Sequence, residues 1–166
     1  MKVLVAFLSE TGNTARLANG IFEAVTEAEK DLLPIPEVQN TADYDLIFCG
    51  FPVHAHSVPG KVEAFVKSLP EGKKIAFFAT HGSLRGGELA ITAFYHALTI
   101  GSKLKILGTF GSRGQVKPAL IDALMQKPEN KAWAEEAQSA AGHPDKADID
   151  DAKAFAQTMV MRARAR

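Results

Sequence analysis

The chain has a single cysteine and no net charge, and both facts limit the class of protein to which it can belong. Cys49 is the only cysteine among 166 residues, so an internal disulfide and a cysteine-based metal cluster are excluded. The 19 basic and 19 acidic residues cancel each other, so no charge surplus attracts nucleic acid or an anionic membrane surface. We therefore expect neither a nucleic-acid partner nor a membrane partner.

Long apolar segments are also missing from the sequence. No run is long enough to span a bilayer, and the N-terminus lacks the long apolar segment and the small-residue cleavage site of a signal peptide. This predicts a cytoplasmic protein. The length suits a single domain over residues 1–166, and 46% hydrophobic with 23% charged residues is an ordinary globular composition.

Five short apolar segments predict β-strands. The strands are expected at residues 2–8, 32–36, 45–51, 73–80 and 103–110. Helix-like stretches lie between most of them, which predicts an α/β fold of three layers with a parallel sheet between helices. Pro34 and Pro36 restrict the second strand to an edge of that sheet. Cys49 lies in the third strand and is expected to be buried and unreactive.

Helical spacing of apolar residues predicts four main helices. They are expected near residues 14–28, 60–69, 87–100 and 148–163. Residues 111–147, which we call the insertion, are too many for an ordinary connection. Two short helices are expected there, over residues 118–127 and 128–141, each opening at or near a proline. The insertion holds Trp133, the only tryptophan, and either packs it on the domain or forms a lid or a dimer contact.

The segment Ser9-Glu10-Thr11-Gly12-Asn13-Thr14 joins the first predicted strand to the first predicted helix. Backbone N–H groups and the helix dipole attract an anion at such a place. Its hydroxyl side chains and the Asn13 amide add donors, and Gly12 permits close backbone approach or a positive φ. The loop predicts a phosphate site, although an ordinary capped helix start uses the same residue types.

Two common nucleotide sites are excluded by what this loop lacks. It has neither the G-x-x-x-x-G-K-[ST] pattern of triphosphate sites nor the dinucleotide fingerprint G-x-G-x-x-G. The phosphate is therefore expected to be the terminal group of a mononucleotide. In its strand–loop–helix context, Ser-x-Thr-Gly-Asn-Thr resembles the FMN phosphate loop of the flavodoxin family, and the resemblance covers most of the chain. It implies FMN as the cofactor and the strand order 2-1-3-4-5, of which flavodoxin is a standard example.

The resemblance also implies which residues contact FMN. In flavodoxins, the loops after the third and fourth strands flank the isoalloxazine ring. The cofactor-binding residues implied here are Ser9, Glu10, Thr11, Gly12, Asn13 and Thr14 in the first loop, Phe51, Pro52, Val53, His54, Ala55 and His56 after the third strand, and Thr80, His81, Gly82 and Ser83 after the fourth. No catalytic side chain and no metal ligand is assigned.

Three of these residues are histidines at places where flavodoxins often have Tyr or Trp. A cationic His54, His56 or His81 beside an anionic reduced flavin would raise the potential for the second electron. The alternative is that these histidines only pack or solvate the loops. Arg85 and Arg113 are further candidates, which either approach the ring or a substrate or lie away from it.

The resemblance implies an FMN-binding redox protein. It carries electrons to a redox partner protein, or it is a small oxidoreductase acting on a quinone-like or tetrapyrrole-like acceptor. Flavodoxins are generally acidic and this chain is neutral, which weakens the plain carrier hypothesis. A phosphoacceptor receiver domain is remote, because Gly50-Phe51-Pro52 stands where its aspartate would be. A flavodoxin-like binding module that has lost its ligand is a further alternative, but the intact first loop conflicts with it. As to oligomeric state, we expect a monomer or a homodimer.

Overall fold

A five-stranded parallel sheet in the order 2-1-3-4-5 lies at the centre of the computed structural model, which describes residues 1–27 and 29–165. The strands are β1 (Lys2–Phe7), β2 (Glu29–Pro34), β3 (Leu46–Pro52), β4 (Lys74–His81) and β5 (Lys105–Arg113). The helices are α1 (Asn13–Ala24), α2 (Gly60–Ser68), α3 (Glu88–Ile100), α4 (Pro118–Met125), α5 (Lys131–Gln138) and α6 (Lys146–Arg164). The predicted fold class and strand order are confirmed.

Each face of the sheet packs against two of the helices. Leu4, Ile47 and Phe77 lie on the face covered by α2 and α3, whereas Val5 and Phe48 lie on the face covered by α1 and α6. Because β1, β3 and β4 are covered on both faces, they appear in the sequence as almost unbroken apolar runs.

Cys49 packs in the core between β3 and the α2–α3 layer. Its side chain is fully buried, and burial raises the pKa of the thiol. A thiol that stays protonated and inaccessible is a poor nucleophile. The predicted burial of Cys49 is confirmed, and its lack of reactivity stays a prediction.

The second strand lies at the edge of the sheet, as its prolines predicted. Pro34 is its last residue, and Pro36 lies beyond it in a short 3-10 helix over Ile35–Glu37. The strand begins at Glu29, three residues before the predicted start. Its first residues are polar because an edge strand is only partly buried, so the apolar pattern did not reveal them.

Two helix boundaries also differ from the prediction. α1 ends at Ala24, where the Lys30 ammonium donates to the carbonyl oxygens of Phe22 and Val25 at 2.8 and 2.7 Å. The predicted end at residue 28 lies outside the described residues. α6 begins at Lys146, two residues early, because Asp145 caps it.

In the described part of the chain, no helix combines the length and apolarity needed to cross a membrane.

The insertion forms the two predicted short helices, α4 and α5, which share a small apolar cluster of their own. A 3-10 helix over Pro128–Asn130 precedes α5, so the second helix begins three residues later than predicted. The Gly114 N–H donates to the His81 carbonyl oxygen at 2.8 Å, which fixes the start of the insertion to the end of β4. The insertion therefore lies beside the carboxyl ends of the strands.

Candidate functional site

The loop between β1 and α1 has the backbone shape that its glycine suggested. Gly12 precedes α1 with φ +91°, in the left-handed region, so the expected positive φ is confirmed. A Cβ added to Gly12 would meet nothing within 4 Å. The left-handed backbone therefore requires a glycine at position 12, whereas steric contact does not. The space beside the loop is open.

Backbone donors are available at the start of α1. Gly12 provides no side-chain cap, and the Ala15 N–H donates to the Ser9 hydroxyl at 3.2 Å. Within residues 1–27 and 29–165, no acceptor takes the N–H of Asn13 or Thr14. Unpaired N–H groups at the positive end of a helix dipole fit a phosphate without a nearby lysine.

Two predicted contact residues, one at the start of α1 and one at the end of β4, meet beneath this loop. The hydroxyls of Thr14 and Thr80 lie 2.9 Å apart, and the two residues are only 1% and 4% exposed. This bond ties the start of α1 to the carboxyl end of β4. The Asn13 side-chain amide donates to the Gln115 backbone oxygen at 3.0 Å and so also holds the insertion, while its contact with the cofactor stays a prediction.

Lys117 is a candidate that the sequence analysis missed. It lines a cleft between the phosphate loop and the insertion, together with Thr11 and Asn13. Among the described residues that line this cleft, Lys117 is the one with a charged side chain. The sequence offered no signal for it, because only the fold brings residue 117 to a loop near residue 11.

The loops after β3 and β4 line a second cleft, which we call the inner cleft. Its volume is about 280 Å³. The predicted contact residues that line it are Glu10, Thr11, Asn13, Pro52, Val53, His54, Thr80, His81 and Gly82. All three predicted loops therefore contribute to one cavity at the carboxyl edge of the sheet, where ligands of doubly wound folds bind.

Phe51 is the predicted contact residue that the structure places elsewhere. It is fully buried, and its ring packs edge-on against Phe77 and Phe94 in the α2–α3 core. Strand residues alternate between faces, so Phe51 points into that core while its neighbours reach the edge of the sheet. It supports the β3 loop from beneath and does not line the cleft.

The β3 loop turns back on itself at Ala55 and His56. Both residues have positive φ, 43° and 65°, and the backbones of His54 and Ser57 pair across the turn. Two such residues in a row are strained unless both are glycine or asparagine. His96 of α3, which the sequence analysis missed, holds this turn because its Nδ1 accepts the Val58 N–H at 3.2 Å and lies 2.7 Å from the Ser57 hydroxyl.

His54 links two of the loops around the inner cleft. Its Nε2 lies 3.2 Å from the Glu10 carboxylate, so the pair joins the β3 loop to the phosphate loop. The two side chains are 44% and 57% exposed. A contact so open to water adds little stability, and His54 keeps its freedom to face a ligand.

His81 does not fit the expected cationic role. It is 5% exposed, and burial is the main reason that its pKa is lowered, opposed by a hydrogen bond to the Ser83 backbone and reinforced by Arg113. Its Nδ1 lies 2.9 Å from the Ser83 carbonyl oxygen, which can only accept, so the proton is on Nδ1. A neutral His81 orders the β4 loop but brings no positive charge to it.

The β4 loop is held from two sides. The Leu84 N–H donates to the Glu136 carboxylate of α5 at 2.5 Å. Arg85 binds Asp151 at 2.7 Å and Asp148 at 3.4 Å, both on α6. Arg85 therefore lies away from the inner cleft and clamps the loop. Arg113 also lies away, since it binds Ser139 and the Glu136 backbone oxygen within the insertion.

The insertion forms one wall of a larger cavity, the outer cleft, of about 860 Å³. The opposite walls are the β3 loop, the β4 loop and the start of α3. The lining residues are Val53, Ala55, His56, Gly82, Ser83, Gly87, Glu88, Leu89, Leu120, Leu124, Asn130, Ala132, Trp133 and Glu136. Trp133 is half-buried and also packs toward Gly82, so the insertion both packs its tryptophan and covers the predicted ring loops. The dimer contact stays a prediction.

These loops on a sheet of order 2-1-3-4-5 define a flavodoxin-like α/β protein. Residues 4–157 match the family described as Flavodoxin domain, and the chain belongs to that family. It is 30% identical over 178 residues to the flavodoxin-like domain-containing protein BilS of Clostridioides difficile (strain CD3), with 98% of each chain covered.

Two solved structures show the same fold. A flavodoxin from the domain Archaea matches with a TM-score of 0.65 at 16% identity, covering 99% of this chain and 100% of that one. A flavoprotein from Lactobacillus acidophilus NCFM, in complex with FMN, matches with a TM-score of 0.53 at 19% identity, covering 66% of this chain and 92% of that one.

Proposed function

We propose that this chain binds FMN and carries electrons to a redox partner protein. The observation that carries the proposal is the loop before α1, where Gly12 is left-handed and nothing in residues 1–27 and 29–165 accepts the N–H groups of Asn13 and Thr14. The inner cleft continues from this loop to the loops after β3 and β4. Membership of the flavodoxin family and the FMN complex of a structural relative support the choice of cofactor.

Each part of the site has a task in this proposal. The N–H groups of Asn13 and Thr14 bind the phosphate, and Lys117 adds positive charge from the insertion. The segments Pro52–His54 and Thr80–Gly82 position the ring and exclude water from one side of it. FMN supplies the redox chemistry. Since His81 is neutral, the proposed electrostatic tuning falls to His54 and His56.

The proposal is tested by reconstitution with FMN and stepwise anaerobic reduction, followed by visible spectroscopy. We expect tight binding and reduction in two separate one-electron steps. A one-electron carrier must hold the flavin in the oxidation state between its oxidised and its fully reduced forms. Reduction in a single two-electron step would support the alternative, a small oxidoreductase acting on a quinone-like or tetrapyrrole-like acceptor. Failure to bind FMN at all would overturn the proposal.

Lys117→Gln is expected to weaken FMN binding about threefold to tenfold, because an exposed cation near a phosphate gains only modest attraction in water. The loss should shrink at high salt, which screens the same attraction. Fluorescence titration of FMN at low and high ionic strength measures both effects. Lys127→Gln removes another exposed lysine of the insertion that lines none of the clefts described above, and it should leave binding unchanged.

If Lys117→Gln and Lys127→Gln bind FMN equally well, Lys117 does not face the phosphate. A loss in Lys117→Gln that is the same at all salt concentrations would also contradict a role through charge.

A further inference from the structure

Helix α3 has an outer face without charged residues. Residues 89–102, from the second residue of α3 to just beyond its end, contain no Asp, Glu, Lys or Arg, although charged residues make up 23% of the chain. The inner face of α3, with Ala93 and Ala97, packs in the core beneath it. A helix that is apolar on both faces is normally covered on both. The outer face of α3 therefore calls for a partner.

Three large apolar residues lie along this outer face, and we call them the α3 stripe. They are Ile91, Tyr95 and Leu98, all of them exposed, and Tyr95 leaves 66% of its surface open to solvent. Single exposed apolar residues are ordinary, but three that are neighbours on one helix face form a patch that marks an interaction site. Their spacing of four and then three residues is that of the seam along which two helices of a coiled coil pack.

The neighbouring helix surfaces are built differently. Between α1 and α6, the Lys153 ammonium pairs with the Glu23 carboxylate at 2.8 Å. On α2, Lys67 pairs with Glu63 at 2.5 Å. Surfaces of this kind are satisfied by their own ion pairs and by water, so they need no partner. The α3 stripe differs from them in having apolar groups where they have charged ones.

The order of residues in the α3 stripe fits a second copy of the same chain. Ile91 lies four residues before Tyr95, and Leu98 lies three residues after it. When two α3 helices pack antiparallel about a two-fold axis at Tyr95, each Ile91 meets the Leu98 of the other copy, and the two Tyr95 rings meet at the axis. A two-fold interface requires a patch that is complementary to itself in this way.

The charges at the two ends of α3 are complementary under the same pairing. Glu88 lies one turn before the α3 stripe, and the exposed Lys103 follows Ser102, the next position of the seam after Leu98. Antiparallel packing brings Glu88 of each copy to the Lys103 end of the other. Within residues 1–27 and 29–165, neither of these two charged groups has an ion-pair partner. Both charges are therefore available to a second copy.

We propose that α3 is the interface of a homodimer, in which the α3 stripes of two copies pack antiparallel about a two-fold axis at Tyr95. The chain has no net charge, so no overall repulsion opposes the association of two copies. This inference goes beyond the proposed function and does not depend on FMN. It places the dimer contact on α3 and not on the insertion.

The test is sedimentation velocity of the full chain, from low micromolar to submillimolar concentration. We expect a monomer–dimer equilibrium in the wild type. Tyr95→Glu sets two carboxylates against each other at the two-fold axis, and it should weaken the dimer at least about tenfold. Met161→Glu is the matched control, because Met161 is an apolar residue of α6 that is 62% exposed. It should leave the equilibrium unchanged, and thermal unfolding checks that both variants are folded.

An exchange of charges tests the antiparallel direction. Glu88→Lys and Lys103→Glu should each weaken the dimer, because each brings like charges together at both ends of the interface. The double variant, with both changes, restores opposite charges across the interface and should dimerise about as well as the wild type. Recovery in the double variant is an effect that general destabilisation does not produce.

A wild type that stays monomeric at every concentration would overturn the homodimer and leave the α3 stripe to a different protein. Equal dimerisation of the wild type and Tyr95→Glu would overturn it as well, because the interface would lie elsewhere. Equal loss in Tyr95→Glu and Met161→Glu would show unspecific association, and a double variant without recovery would exclude the antiparallel pairing. FMN retention is measured separately, so failure of the homodimer and failure of the proposed function are distinguishable.

Discussion

Gly12→Val is expected to abolish FMN retention while the protein stays folded. A β-branched residue is strained at φ +91°, by about 1–3 kcal/mol, and it relaxes by turning the loop away from the left-handed conformation. The N–H groups that face the phosphate then lose their common direction, and each hydrogen bond to a charged group is worth about 1.5–3 kcal/mol. We expect FMN affinity to fall roughly 100-fold or more.

The fold should survive this change because a Cβ at Gly12 meets nothing within 4 Å. Gly72→Val is a closely matched control. Gly72 has φ +74°, an added Cβ there also meets nothing within 4 Å, and it lies before β4, at the opposite edge of the sheet. Both variants should lose similar thermal stability, and only Gly12→Val should lose FMN.

Thermal unfolding of the FMN-free proteins and fluorescence titration with FMN measure the two effects separately. Full flavin occupancy in folded Gly12→Val would show that the phosphate does not bind at this loop. Equal loss of FMN in both variants would show that the effect comes from general destabilisation.

The sequence predicted the phosphate loop because everything that shapes it is local. Six consecutive residues contain the turn, the glycine and the start of the helix, and the preceding strand is recognisable from its apolar run. The strand order followed from the resemblance, and the prolines of β2 agreed with an edge position. The loop itself does not depend on contacts with distant parts of the chain.

The contacts that surround the loop could not be predicted in the same way. Lys117, His96 and Glu136 lie far along the chain from the loops they support, and ordinary surface residues look the same in the sequence. Arg85 was considered for the ring because it is close in sequence to the β4 loop, but two aspartates of α6 hold it. The prediction for Phe51 was wrong for a simpler reason, since Phe51 still belongs to β3 and its ring points into the core under α2 and α3.

Asp148→Ala is expected to destabilise the protein by about 1–3 kcal/mol, the usual result of removing a buried hydrogen-bonding group whose partners, here Arg85 and His143, are partly open to water. Asp148 is 7% exposed, and its carboxylate accepts from His143 at 2.5 Å, from the Asp145 N–H at 2.9 Å and from Arg85 at 3.4 Å. The change leaves Arg85 and His143 without this acceptor and removes half of the capping box of α6. Chemical denaturation at neutral pH measures the loss.

The loss should depend on pH in a definite direction. Burial opposes ionisation of Asp148, but the hydrogen bonds from His143 and the Asp145 N–H, with the charge of Arg85, outweigh it, so the pKa is lowered from 3.8. A carboxyl group with a lowered pKa in the folded state contributes stability that is present above its unfolded pKa and is lost as pH falls through the folded pKa. The difference between wild type and Asp148→Ala should therefore be full above about pH 5 and shrink below pH 3.8.

Asp150→Ala is the control on the same helix. Asp150 is exposed and pairs only with Lys146, one turn away, among the described residues, so its removal should change stability little at any pH. If both variants lose the same stability, the carboxylate of Asp148 acts only through the overall charge of α6. If instead the loss in Asp148→Ala stays constant down to pH 2, the network is held by hydrogen bonds that survive protonation, and the ionised carboxylate is not what positions Arg85 and the β4 loop.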